Sequence, residues 1–177
     1  NFNSKIIKVD TKKNYRILNK IDNRYFLNET NKENLSFVFE VSKRLRLNIK
    51  LLIKTIQKFK GLKYRQQIIL NKKNLTVIND SKSTSFASSI GILKSNPNIY
   101  WLIGGIHKKK DKLKLPKRYF KNIKAFIFGK EKEFFNKELK DKIPCENFMN
   151  LRSALTRIIK LIKKNKFTHR TILFSPS

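Results

Sequence analysis

The chain has 177 residues, 40% of them hydrophobic, which suffices for one ordinary core, or for one core plus a piece of a neighbouring domain. Its 42 Lys+Arg against 12 Asp+Glu give a formal charge of +30, and no stretch approaches the ~18 apolar residues that a membrane-spanning helix needs. The single cysteine, Cys145, excludes an internal disulfide and has no partners at metal-binding spacing, so a packing role is expected for it.

A charge of this size raises the question of a nucleic-acid partner. Of the 42 basic residues, however, 33 are Lys and only 9 Arg, beside 19 Asn, 22 Ile and 3 Ala, a bias shared by residues with A/T-rich codons. The lysines are spread along the chain, and the longest run is Lys108-Lys109-Lys110, which is not the basic block of a binding tail. No specific nucleic-acid partner, no membrane partner and a cytoplasmic location are therefore expected. A small basic nucleic-acid-binding protein stays open as the rival class, on the charge and the 20 aromatic residues.

In chain order, residues 1–28 alternate short apolar runs, Ile6-Ile7-Lys8-Val9 and Tyr25-Phe26-Leu27, with polar clusters, a pattern that suits strands or a hairpin. From Asn34 the residues Leu35, Val38, Phe39, Ser42 and Leu45 step at helical spacing. A second set, Ile49, Leu52, Ile53, Ile56 and Phe59, does the same before Gly61, which predicts a helical pair with a glycine cap. A different rhythm follows. Short β-branched or aromatic runs at Leu75–Ile78, Tyr100–Ile103, Ala125–Phe128 and Thr171–Phe174 alternate with helical segments at Thr84–Leu93, Glu131–Lys137 and Leu151–Lys164. Such repetition predicts an α/β fold with a mostly parallel sheet flanked by helices, and ligands at the loops that follow the strands.

Three such segments carry unusual chemistry. Asn79-Asp80-Ser81-Lys82-Ser83-Thr84-Ser85 sets an anion, a cation and a hydroxyl at the start of a helix, where a ligand site and an ordinary helix cap use the same residue types. Gly104-Gly105-Ile106-His107-Lys108-Lys109-Lys110-Asp111 lets the backbone approach a ligand and places a lysine just beyond the glycines, while His107 reads as a solvated loop residue. Arg65, in Phe59-Lys60-Gly61-Leu62-Lys63-Tyr64-Arg65, stands where helical rhythm gives way to strand rhythm, a favoured position for a cleft between domains.

Taken in order with Thr30-Asn31-Lys32-Glu33-Asn34 and the terminal Phe174-Ser175-Pro176-Ser177, these segments resemble the C-terminal part of the Mur ligase family, the ATP-dependent amide ligases of peptidoglycan and cell-wall synthesis. Asn-Asp-Ser-Lys-x-Thr is most similar to the branch that adds D-glutamate to UDP-N-acetylmuramoyl-L-alanine. Three positions depart from the branch pattern: Thr30 stands for its histidine, Lys63-Tyr64 for Pro-His and Ser85 for its last asparagine. The resemblance implies a Rossmann-like C-terminal domain at residues 66–177, truncated at its end, preceded at 1–65 by the closing strands and helices of the central ATPase domain. A hinge is implied near Lys63–Gln66.

The resemblance also implies roles. Thr84 and Lys108 would bind D-glutamate, Asn31, Arg65 and Asp80 would meet ATP, and Lys82 would stand beside the reacting groups. No Gly-x-x-x-x-Gly-Lys-Ser/Thr phosphate loop occurs in the 177 residues. That loop, the magnesium ligands and the UDP-binding N-terminal domain are expected in missing parts, and no metal site is expected here. Both ends of the chain are expected to be cut, and the chain alone is expected to be inactive, whether it is part of a ligase or a non-functional remnant of one.

Overall fold

The computed structural model describes residues 6–11, 21–108, 111–164 and 168–176. Asn1, Tyr15, Lys109, Lys110 and Ser177, all within segments named above, lie outside them. The chain divides into two compact units, Asn1–Lys60 and Gly61–Ser177.

In the first unit, helix α1 (Glu29–Arg44) is followed by α2 (Ile49–Lys58). Each opens on an asparagine whose side-chain oxygen accepts a backbone N–H in the first turn, Asn28 from Asn31 and Asn48 from Leu51, which satisfies donors the helix itself leaves unpaired. The inward stripe of α1 is Leu35, Ser36, Phe39 and Ser42. Leu35, Phe39 and Ile56 form a small core with Ile21, against which Phe26, Ile49, Leu52 and Ile53 pack. Two expectations change here. Ile6–Val9 and Tyr25–Leu27 form no strand, and Arg24–Phe26 is a single 3-10 turn opened by the Asn23 side chain. These runs are too short to hold a strand without a paired neighbour. Nor does a glycine cap α2: its last residue is followed by Phe59 in extended conformation, and Gly61 takes a positive φ of 81° two residues later.

The second unit is a six-stranded sheet in the order β1-β2-β6-β3-β4-β5, parallel throughout except for the antiparallel β1–β2 hairpin. The strands are β1 (Gln67–Lys72), β2 (Leu75–Asn79), β3 (Ile99–Gly104), β4 (Ile123–Phe128), β5 (Cys145–Phe148) and β6 (Arg170–Phe174). Helices α3 (Phe86–Ser95), α4 (Lys132–Leu139) and α5 (Leu151–Lys164) connect them, with a 3-10 segment at Lys117–Asn122. The central strands are apolar on both faces because both are covered. Ile99, Trp101 and Ile103 of β3 point into a core with Phe86 of α3 and Phe135 of α4, while Leu102, Phe126 and Ile172 meet Ala154 and Ile158 of α5. The steps from β2 to β5 run in one direction across the sheet and the return to β6 runs in the other, so right-handed crossovers put α5 on the opposite face from α3 and α4. The loops that leave β2, β3, β4 and β6 consequently share one edge of the sheet.

Candidate functional site

At that edge the end of β2 is tied to the end of β6. The Asp80 N–H donates to the Phe174 carbonyl at 2.7 Å and the Ser175 N–H donates to the Leu102 carbonyl at 3.2 Å, which extends the sheet by one residue on each strand. The Asp80 side chain, only 5% exposed, accepts from the Gln66 N–H at 3.0 Å and from the Ser175 hydroxyl at 2.9 Å. Burial pushes its carboxyl above the usual aspartate range, against the downward pull of those two hydrogen bonds and of the Arg65 charge. Ser175 accepts in turn from the buried Ser89 of α3 at 2.7 Å, and its carbonyl accepts from the Trp101 indole at 3.1 Å.

Asp80 is therefore not the cap of α3. That place belongs to Ser85, whose hydroxyl accepts from the Ser88 N–H. Asp80 instead holds Gln66, which lies in the left-handed region with φ 50°, as does Tyr64 with φ 65°. The exposed Arg65 sits between these two strained residues, in the tight Leu62–Arg65 turn. The Lys82 N–H donates to the Tyr64 carbonyl at 3.1 Å, so the segments carrying Arg65 and Lys82 are laced together through the backbone. The Lys82 side chain is exposed, and no ion pair engages it among the described residues.

The β3 loop supplies the other side of the edge. The exposed Lys108 ammonium donates to the Thr84 hydroxyl at 3.1 Å, so the cation and the hydroxyl expected to share one ligand already touch across 24 positions of sequence. Asp111, just past Lys108, accepts from the Phe86 N–H at 2.8 Å and so anchors the far end of this loop on the first turn of α3. His107 is not a solvated loop residue. Its backbone N–H and ring Nδ1 both lie against one Glu131 oxygen, at 2.6 and 2.7 Å, and its ring stacks on Phe134 with centroids 3.8 Å apart. Those contacts hold the Glu131 carboxyl below the usual range.

Arg65, Asp80, Lys82, Thr84 and Lys108 thus all lie on the carboxyl edge of the sheet in the second unit. Asn31 lies in the first unit, 5% exposed, with its side-chain amide donating to the Tyr25 carbonyl at 2.6 Å. Ser175, Asp111, Gln66 and Glu131 are supporting residues that sequence reasoning did not single out. Ser175 and Asp111 stood within named segments and Gln66 at the expected hinge, but nothing in the sequence marked any of them, or Glu131, as a partner of the site residues. Among the described residues no group of three His, Cys, Asp or Glu side chains is placed to hold a metal ion.

No family model matches the chain. It is 32% identical over 148 residues to the UDP-N-acetylmuramoylalanine--D-glutamate ligase of Wolbachia sp. subsp. Brugia malayi, with 84% of this chain and 30% of the relative covered. To the ligase of the same name from Rickettsia felis it is 33% identical over 148 residues, with 83% of the chain and 33% of the relative covered. The chain thus spans about a third of the length of the curated relatives it matches. Among solved structures, MurF from Acinetobacter baumannii shares the fold with a TM-score of 0.64 at 17% identity, covering 85% of this chain and 35% of that one. MurF ligase from Thermotoga maritima in complex with ADP gives a TM-score of 0.59 at 14% identity, covering 85% and 35%. On this sequence likeness and shared fold, the chain belongs to the Mur ligase family.

Proposed function

We propose that the chain is the end of the central domain (1–65) and the amino-acid-binding C-terminal domain (66–177) of an ATP-dependent ligase that joins D-glutamate to UDP-N-acetylmuramoyl-L-alanine in the cytoplasm. The observation that carries this reading is the Lys108–Thr84 contact at the carboxyl edge of the sheet. A carboxylate entering there would replace a neutral hydroxyl partner with a charge-assisted one on the same ammonium while accepting from Thr84 as well. Clamping an amino acid by its carboxylate leaves its amine oriented for attack, which is the larger part of what positioning contributes to amide formation.

On the nucleotide side, Arg65 supplies a fixed cation for phosphate, Asp80 supplies acceptors at the sheet edge, Asn31 would meet the base, and Lys82 would lie near the reacting groups. The fit of Asp80 has a limit. Each of its oxygens already accepts one protein hydrogen bond, so a sugar hydroxyl would have to use the remaining lone pairs. Bound ATP would supply the activation of the acyl carboxylate; this chain's residues bind, orient and neutralise charge.

The test is steady-state ligation of D-glutamate by the protein carrying this segment, with each substrate varied in turn. Lys108→Ala should raise the D-glutamate KM by tenfold or more, about 1.4 kcal/mol or above, and leave the ATP KM within about twofold. Equal effects on both substrates would remove Lys108 from the amino-acid site.

A further inference from the structure

Between the end of β3 and Lys108 the clamp depends on a short segment in which Gly105 and Ile106 are exposed. Gly104 tolerates no side chain, since a Cβ there would run into the Phe128 carbonyl oxygen, and Gly105 has a φ of 123°, a region that L side chains rarely adopt. Ile106 is 81% exposed and contributes no packing. The first residue after the glycines to meet the body of the domain is His107, immediately before Lys108.

We propose that Glu131 is a positioning residue, which with His107 forms a latch that holds the glycine turn so that Lys108 stands on Thr84. The inference rests on the reading of Lys108 and Thr84 as the amino-acid clamp. Glu131 suits the task because its backbone is fixed. Its carbonyl accepts from Phe134 and Phe135 in the first turn of α4, and Phe135 and Leu139 of that helix are fully buried. From this base one carboxylate oxygen receives both the backbone and the ring of His107, and Phe134 covers the ring at an interplanar angle of 15°. A carboxylate that accepts a backbone N–H makes a stronger tie than a neutral acceptor would. The latch lies across the carboxyl ends of adjacent strands β3 and β4, and Asp111 on α3 closes the other end of the loop. Lys108 is therefore bracketed by two acidic side chains, neither of which needs to touch the substrate.

NMR on the 15N-labelled 177-residue chain tests this, with Glu131→Ala, Glu131→Gln and His107→Ala beside the wild type. In the wild type the His107 amide proton should resonate far downfield. Gly105–Lys108 should have backbone order parameters near ~0.85, and Thr84 and Lys108 should show a side-chain NOE. In Glu131→Ala the order parameters should fall below ~0.6, the NOE should vanish and the downfield shift should be lost. Glu131→Gln, which keeps an acceptor, should restore order and contact. His107→Ala, which keeps the backbone N–H but loses the ring contacts with Glu131 and Phe134, should loosen the loop to a smaller degree and serves if Glu131→Ala does not fold. Unchanged loop order and an intact NOE in the alanine variants overturn the latch. A D-glutamate titration of the wild type forms the separate arm. Shifts at Thr84 and Lys108 support the clamp, and their absence at saturating D-glutamate refutes the clamp while the loop-order result still decides the latch.

Discussion

Replacing Asp80 tests the reasoning behind the carboxyl edge most directly. Asp80→Ala removes the acceptor for the Gln66 N–H and for the Ser175 hydroxyl, at a position 5% exposed. Hydrogen bonds to a charged group contribute about 1.5–3 kcal/mol each, and the desolvation that raises the Asp80 pKa offsets part of that sum. A net loss of about 2–4 kcal/mol follows, or roughly 8–16 °C in Tm at about 4 °C per kcal/mol for a domain of this size. Asp80→Asn should behave differently. Its oxygen still accepts from Gln66, and its amide donates to Ser175, whose hydroxyl needs only to rotate. The stability of this variant at pH 7 should equal or exceed that of the wild type, because the buried charge is gone. Since folded Asp80 holds its proton more tightly than the unfolded chain does, falling pH stabilises the fold through this group. That contribution is withdrawn as pH rises through the folded pKa. Thermal melts from pH 3 to 7 should therefore show the Asn variant gaining on the wild type as pH rises through this window and levelling above it. If Asn destabilises as much as Ala, or if the difference between Asn and wild type does not change with pH, the account of a buried, desolvated tie is wrong.

Gly104→Ala should cost about 3 kcal/mol or more, at the upper end of overpacking penalties, because the obstacle is backbone that cannot swing aside; a melt within 3 °C of the wild type would refute this. Cys145, its thiol pushed up to about 11 by burial, should react with a thiol reagent at pH 8 between tenfold and roughly a hundredfold more slowly in the native protein than in urea, and equal rates would contradict its burial. The charge of +30 should give only weak, salt-sensitive binding to DNA or RNA that disappears by physiological ionic strength, as followed by fluorescence anisotropy. Affinity that persists at 0.15 M salt would favour the nucleic-acid-binding class.

The core strands were legible because burial leaves a local record. Trp101 and Ile103 alternate with Leu102, and Ala125 and Ile127 with Phe126, so each strand announces that both of its faces are covered. Helix α5 was legible over its whole length, Leu151–Lys164, for the same reason at helical period. Strands β1 and β5 were not. Gln67–Lys72 is half exposed and exists as a strand through its hairpin with β2, and Cys145–Phe148 is four residues long and depends on β4 for its pairing. The resemblance likewise identified the segments that carry Asp80, Thr84, Lys108 and Arg65, and each lies in a loop at one sheet edge. What holds these residues could not be read from the chain. Ser175 reaches Asp80 across 95 positions, Trp101 reaches Ser175 across 74, and Glu131 reaches His107 across 24. Hydrophobic periodicity reports how deeply a residue is buried, which neighbours in sequence can encode. The partner of a polar group depends on strand order, and only the insertion of β6 between β2 and β3 brings Ser175 to Asp80.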